Sequence, residues 1–248
     1  MPTVDSSGVT IRYRSDGEGP LVVLAHGGGL RLEAWDRSGW VDGLAEDHQV
    51  VRFDARGHGE SSKPTDPDDY AMGLMVRDVL AVADACGGGD FHYLGWSMGA
   101  KLGWGVADVA PGRLASLGLI GADAGGSDDS AGEMVQLLEQ GLDTVVGVLS
   151  QMWDVPDWLG ELYRQNDVEA LLAYFRSTWP DLSHVPEQLD VPTLLLCGER
   201  DEVYEGMTET AAQAGVDLVT LEAADHVSSL THDGALSAYR DFLTDVTG

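Results

Sequence analysis

The chain has 248 residues, of which 44% are apolar and 23% are charged, a composition typical of a folded protein with one large core. Its formal net charge is −28, from 42 acidic and 14 basic residues. Such a surface repels nucleic acid and anionic lipid, so we expect neither nucleic acid nor a membrane as a partner. The acidic residues are dispersed along the chain, which favours a solvated surface over an acidic binding tail.

The cysteines and the start of the chain bear on its location. Cys86 and Cys197 are the only cysteines, too few for a disulfide scaffold, and we expect both to be free thiols. Residues 1–20 lack a basic region followed by an apolar core, and no apolar run approaches the roughly 18 residues of a membrane span. We therefore expect a soluble, cytoplasmic protein. The sequence leaves its oligomeric state open.

Apolar runs alternate with helical stretches over most of the chain, which predicts a parallel sheet with crossover helices. Residues 3–5 and 10–13 differ, because they flank a turn at 6–8 and predict an antiparallel hairpin at one edge. The later strands are predicted at 21–25, 50–54, 91–95, 117–120, 193–197 and 216–221. Apolar residues at three- and four-residue spacing predict helices at about 70–85, 98–109, 205–214 and 234–244.

The alternation stops between residues 124 and 187, where a loop-like run at 125–130 precedes helical patterning rich in aromatic residues. We predict a core domain of residues 1–123 and 188–248, interrupted by a helical cap at 124–187. Apolar residues at helical spacing pack against the main domain more often than they line a pocket. The aromatic residues that we expect to line a substrate pocket are Trp96, Trp153, Trp158, Tyr163, Tyr174, Phe175 and Trp179.

A candidate nucleophile, Ser97, follows the strand that begins at Phe91. It lies in the segment Gly95-Trp96-Ser97-Met98-Gly99, and a helix-forming stretch comes next. A serine in a tight turn between strand and helix projects its hydroxyl above the sheet, and small neighbours let the backbone approach. The free N–H groups at the start of the helix favour an anion. The alternative is a plain strand–turn–helix without chemistry.

Three glycines follow His26, directly after the strand at 21–25 and so at the same sheet edge as Ser97. We predict that the backbone N–H groups of Gly28 and Met98 form an oxyanion hole. A flexible glycine turn is the alternative. His26 is predicted to support this loop rather than to act as a base, because a better histidine exists.

That better histidine is His226, which follows the last strand. Asp201 follows the buried strand at 193–197, and the chain order Ser97, Asp201, His226 is the one expected for nucleophile, acid and base in this architecture. His226 would take the proton from Ser97, while Asp201 would orient the ring. Asp123 is the only serious alternative acid. Glu199 and Asp225 are interpreted as solvated surface acids.

The turn-rich segment Phe53–Ser61 is predicted to be a buried turn held by an Asp and Arg network, with His58 as a scaffold residue. The motifs His26-Gly27, Asp54–Ser61, Gly95–Gly99, Gly198–Asp201 and His226 together resemble the α/β-hydrolase superfamily, over residues 20–123 and from 191 onward.

Within that superfamily the chain is similar to the lidded branch of small-molecule esterases, enol-lactonases, cofactor-free haloperoxidases and carbon–carbon bond hydrolases. The resemblance implies an α/β fold with an eight-stranded, mostly parallel sheet, helices on both faces and a cap over the site. Ser97 argues against haloalkane dehalogenase and epoxide hydrolase, whose nucleophile is aspartate. Asp225 stands where many relatives carry glycine.

These residues predict a hydrolase for a small, largely apolar carboxylic ester. The alternatives are lactone opening or carbon–carbon cleavage of a diketone by the same triad, and a hydrolase-fold sensor that binds a small ligand. No pair of histidines or cysteines has zinc-ligand spacing, and the glycine runs lack phosphate-loop or dinucleotide spacing. We therefore expect no metal and no cofactor.

Overall fold

The structure, a computed structural model, describes residues 1–125 and 130–247. Its strands form one eight-stranded sheet in the order β1-β2-β4-β3-β5-β6-β7-β8. The strands are β1 (Thr3–Ser6), β2 (Val9–Asp16), β3 (Leu21–Ala25), β4 (Gln49–Phe53), β5 (Phe91–Trp96), β6 (Leu114–Ile120), β7 (Thr193–Gly198) and β8 (Leu218–Leu221). The predicted eight-stranded, mostly parallel sheet is confirmed.

Strand β2 pairs antiparallel with both β1 and β4, and every later pairing is parallel. The apolar runs explain this arrangement, because a parallel strand is covered on both faces. In β3, Val22 and Leu24 belong to the apolar cluster on one face, while Val23 and Ala25 belong to the cluster on the other. All four are buried.

Helices cover both faces of the sheet, as predicted. They are α1 (Glu33–Arg37), α2 (Trp40–Leu44), α3 (Met72–Ala85), α4 (Met98–Val109), α5 (Ser130–Leu138), α6 (Leu142–Met152), α7 (Asp157–Tyr163), α8 (Val168–Arg176), α9 (Tyr204–Ala214) and α10 (Asp233–Thr247). Val79 of α3, Trp104 of α4 and Met207 of α9 lie in one cluster, whereas Trp40 of α2 and Tyr239 of α10 lie in the other.

Three differences from the sequence predictions have a clear structural reason. Helices α1 and α2 were not predicted, because five residues are too few to display a helical period. Helix α3 begins at Met72 rather than 70, because Pro67–Tyr70 form a 3₁₀ turn capped by the Asp66 carboxylate. Strand β6 begins before residue 117, because Leu114 pairs with Phe91 ahead of a register shift.

Helices α5 to α8 lie between β6 and β7, inside the stretch predicted to form a cap. Val145, Leu159 and Leu171 of these helices share an apolar cluster with Trp35 and Trp40, so the cap helices pack on the core. The division into two domains stays a prediction, and residues 126–129 of the predicted loop lie outside the described residues. Among the helices in the described ranges, none is long and apolar enough to cross a membrane. Both cysteines are free thiols, as predicted.

Candidate active site

Ser97 occupies a strained turn between β5 and α4. Its φ of 56° and ψ of −116° lie where residues with a Cβ are rarely found. A Cβ added to Gly95 would lie 2.2 Å from the Gly99 oxygen, and one added to Gly99 would lie 2.0 Å from the Ala25 oxygen. Both positions therefore require glycine, as the sequence predicts. The Ser97 N–H donates to the Ile120 oxygen at 2.9 Å, which anchors the turn to the neighbouring strand.

A chain of two hydrogen bonds joins the predicted triad. The Oγ of Ser97 lies 2.9 Å from Nε2 of His226, and Nδ1 of His226 lies 2.9 Å from Oδ2 of Asp201. The Asp201 side chain is almost fully buried and also accepts the Val203 N–H through Oδ1. Since an ionised carboxylate only accepts, the network assigns the ring hydrogen to Nδ1 and leaves Nε2 to accept the serine hydroxyl.

The other acids near His226 have different partners. Asp123 lies 3.4 Å from the ammonium of Lys101, and it makes no hydrogen bond to His226 within the described part of the chain. Glu199 is exposed and accepts the Ala223 N–H. Asp225 is only 7% exposed, so its interpretation as a solvated surface acid is wrong. Asp201 is thus the carboxylate that the structure brings to the histidine.

The glycine loop after β3 passes directly beside the serine. A Cβ on Gly27 would lie 3.3 Å from the Cβ of Ser97. The loop closes in a turn, in which the Leu30 N–H donates to the Gly27 oxygen. Among the described residues, no group accepts a hydrogen bond from the N–H of Gly28 or Met98. The N–H groups of Gly28 in this loop and of Met98 at the start of α4 are therefore available to an anion.

Two buried histidines connect this loop to the turn after β4. Nε2 of His26 accepts the Ala55 N–H, and Nε2 of His58 accepts the Gly29 N–H at 3.0 Å. Each Nδ1 faces a backbone oxygen. Burial lowers the pKa of His26 to about 4 and that of His58 to about 3, so both rings are neutral near pH 7. These contacts are those of scaffold residues.

The turn after β4 is held by two separate sets of ion pairs, one around Asp54 and one around Arg56. The Asp54 carboxylate accepts the N–H groups of Leu32 and Glu60 and pairs with Arg12 at 3.1 Å. Arg56 forms two hydrogen bonds with Asp78 of α3 instead. Arg56, two residues after Asp54, is therefore not its partner; the partner, Arg12, comes from β2.

Four of the seven predicted pocket residues lie next to groups of the site. The ring centroids of Trp96 and Trp153 are 5.4 and 5.0 Å from that of His226. A Cβ on Gly28 would lie 3.5 Å from the Tyr174 ring and 3.6 Å from the Phe175 ring. Aromatic surface thus borders both the histidine and the glycine loop.

The other three predicted pocket residues do not make these contacts with His226 or Gly28. Tyr163 is buried against Gly29. Trp179 lies behind Tyr174, with ring centroids 5.8 Å apart, and donates its indole N–H to the Tyr70 oxygen. Trp158 lines a surface groove that it shares with Trp153.

The sequence did not indicate two side chains that support the site. Asn166, between α7 and α8, donates its amide to the Gly29 oxygen. Asp225 accepts a hydrogen bond from the cap. No motif marks Asn166, whereas the unusual aspartate before His226 could have drawn attention to Asp225. In the described ranges, no group of three or more His, Cys, Asp or Glu side chains is placed to hold a metal ion.

Comparison with known proteins relates the chain to a family with a known fold. A family model described as the alpha/beta hydrolase fold matches residues 20–158. A pimeloyl-[acyl-carrier protein] methyl ester esterase of Methylococcus capsulatus is 36% identical over 106 residues, which are 43% of this chain and 38% of that protein. The chain therefore spans well under half the length of this relative.

Solved structures match over nearly the whole chain. The enol-lactonase from Burkholderia xenovorans superposes with a TM-score of 0.87 at 24% identity, covering 98% of this chain and 100% of the other. A hydrolase from Pseudomonas aeruginosa superposes with a TM-score of 0.83 at 28% identity, covering 97% and 96%. At 24% identity, the likeness to the enol-lactonase concerns the fold alone.

Proposed function

The chain belongs to the α/β-hydrolase family, and we propose that it is a serine hydrolase that cleaves a small, largely apolar carboxylic ester through an acyl-enzyme intermediate. The observation that carries the proposal is the pair of 2.9 Å contacts linking Ser97, His226 and Asp201. Fold alone does not define an activity, so the proposal depends on the site.

In the proposed acylation step, Nε2 of His226 takes the hydroxyl proton of Ser97 as Oγ attacks the ester carbonyl. The carbonyl oxygen becomes an anion, which accepts hydrogen bonds from the N–H groups of Gly28 and Met98. His226 then passes its proton to the departing alkoxide, and the acyl group remains on Oγ. Asp201 stabilises the cationic ring throughout.

Deacylation repeats the same steps with water. His226 removes a proton from a water molecule, whose oxygen attacks the acyl carbon, and the second tetrahedral anion is stabilised by the same N–H groups. Collapse breaks the bond to Ser97, which regains its proton from His226. The products are an acid and an alcohol. This reaction uses only water and the chain's own residues, so no cofactor is part of the proposal.

The surroundings support a substrate with much apolar surface. Trp96 and Trp153 lie against His226, on whose side the alcohol leaves, and Tyr174 and Phe175 lie against Gly28. Aromatic walls with few polar groups suit small apolar ligands. The methyl ester esterase among the relatives is consistent with ester cleavage. The expected location in the cytoplasm stays a prediction.

Hydrolysis of p-nitrophenyl acetate and butyrate, together with labelling by a fluorophosphonate, tests the proposal. We expect turnover within the usual range of about 1–10³ s⁻¹ and one label per chain, both abolished in Ser97→Ala. A lactone panel and a vinylogous diketone run in parallel separate the alternative reactions. Absence of both turnover and label in the wild-type protein would contradict the proposal, and melting-temperature shifts without turnover would favour a ligand sensor.

A further inference from the structure

Asp225, the residue before His226, joins two parts of the chain through its carboxylate. Oδ1 accepts the backbone N–H and the hydroxyl of Ser228, each at 2.7 Å. Oδ2 accepts the backbone N–H of Asp154, which follows α6 in the cap, also at 2.7 Å. Distances this short are typical of charge-assisted hydrogen bonds. The carboxylate thus connects the loop after β8 to the cap.

The chemistry of these contacts requires a carboxylate. Burial raises the pKa of Asp225, but the hydrogen bonds from Ser228 and Asp154 outweigh that effect and leave the pKa below its usual value. Both oxygens face N–H donors, so an asparagine would direct its own NH₂ group at one of them. One of the two contacts would then be lost and a buried N–H left unpaired.

The residues next to this contact also meet. Trp153 directly precedes Asp154, and its ring lies 5.0 Å from the imidazole of His226, with an interplanar angle of 36°. The His226 oxygen accepts the indole N–H of Trp96 at 3.1 Å. The cap pair Trp153-Asp154 and the core pair Asp225-His226 therefore touch through both a ring contact and a hydrogen bond.

The side chain of Asp154 does not account for the contact between cap and core. It is 80% exposed, and its nearest cation, Arg200, lies 3.9 Å away and is itself 59% exposed. Exposed pairs of this kind contribute little to stability. The link between cap and core at this point is therefore the backbone N–H of Asp154 and the Asp225 carboxylate.

We propose that Asp225 is a positioning residue: by holding the backbone of Asp154, it keeps Trp153 against His226 and fixes the imidazole for proton transfer. The part that concerns proton transfer rests on the proposed function, whereas the link itself does not.

Hydrogen exchange tests the link without any reference to activity. In Asp225→Ala, which removes both carboxylate oxygens, amides in residues 150–158 should exchange about tenfold faster or more, because the hydrogen bond that protects this segment is lost. The matched control is Asp154→Asn, which removes the exposed charge beside this contact but keeps the backbone N–H, so its exchange should equal that of the wild type. Asp225→Gly provides a second variant if alanine impairs folding. Unchanged exchange in the folded Asp225 variants would overturn the proposal.

A double-mutant cycle tests the effect on His226. Asp225→Ala should lower kcat for p-nitrophenyl butyrate by about tenfold, since small displacements of a catalytic group are costly. In a Trp153→Ala background the same substitution should have no further effect, because the ring that it positions is absent. Equal losses in both backgrounds would refute positioning through Trp153. If the wild-type protein cleaves no ester, the proposed function fails, and the exchange experiment still decides whether the link exists.

Discussion

The side-chain amide of Asn166 donates a hydrogen bond to the carbonyl oxygen of Gly29, one residue beyond the proposed oxyanion donor Gly28. From the core side, Nε2 of His58 accepts the N–H of the same glycine. Gly29 is therefore fixed by a cap residue and a core residue at once. His58 holds the peptide group before Gly29 and Asn166 holds the one after it, so together they fix the loop directly after the Gly28 N–H.

Replacing Asn166 by alanine should reduce kcat with little change in KM, because the Gly28 N–H would no longer be held for the transition state. The loss should stay below the roughly 100- to 1000-fold cost of removing an oxyanion donor outright. Steady-state kinetics on a p-nitrophenyl ester measures it. Gln165→Ala is the matched control: it removes the neighbouring contact to Arg31 and leaves Gly29 untouched. An equal loss in both variants would refute a specific role for Asn166.

The two candidate acids make separable predictions. Asp201→Asn should lower kcat by about 10⁴-fold, since the amide favours the wrong ring tautomer of His226. Asp123→Asn should leave kcat unchanged, because Asp123 pairs with Lys101 and not with the histidine. Both substitutions preserve shape and remove one negative charge, so each controls for the other. A large loss in Asp123→Asn with an active Asp201→Asn would reverse the assignment of the acid.

The predicted strands are close to the observed ones, because their apolar runs are buried on both faces and are bounded by turns. Ser97, Asp201 and His226 could be proposed from chain order, since parallel strands deliver the loops that carry them to one edge. Contacts between side chains that are distant in sequence could not be predicted from such patterns. Asp225 and Asp154 are 71 residues apart, and Asn166 and Gly29 are 137 apart.

The pocket was the least predictable part for the same reason. Spacing indicates that Trp153, Trp158 and Trp179 lie on helical stretches or next to them, but it does not say which side of the cap meets the site. Packing of the cap on the core decides that, and it brings only Trp153 of these three against His226. Arg56 shows the same limit, because its partner, Asp78, lies on α3.

The strain at Ser97 predicts an increase in stability on loss of activity. Ser97→Gly should raise the free energy of unfolding, because glycine tolerates the positive φ at which a residue with a Cβ is strained by about 1–3 kcal/mol. The greater entropy of glycine in the unfolded chain offsets about 0.4–1 kcal/mol of that gain. Urea denaturation measures the difference. The control is Ser97→Ala, which also removes the hydroxyl but keeps the Cβ; equal stabilities of the two variants would contradict the strain.

The buried histidines predict a loss of stability in mild acid. The pKa of His26 is lowered to about 4 and that of His58 to about 3, whereas an unfolded histidine has a pKa of about 6.5. As pH falls below about 6.5, the unfolded chain binds protons that the folded chain does not, so the free energy of unfolding falls. Each histidine can contribute a slope of about 1.4 kcal/mol per pH unit until its folded pKa is reached.

Urea midpoints measured between pH 7 and 5 test this dependence, because that window lies above the range in which most carboxylates titrate. His58→Gln should flatten the slope, since glutamine offers an oxygen to the Gly29 N–H but binds no proton. His184→Gln is the control, because His184 is 51% exposed and contacts only Asp108 by hydrogen bond among the described residues. A slope that is unchanged in His58→Gln, or equally reduced in His184→Gln, would show that the buried ring is not the group that limits stability in acid.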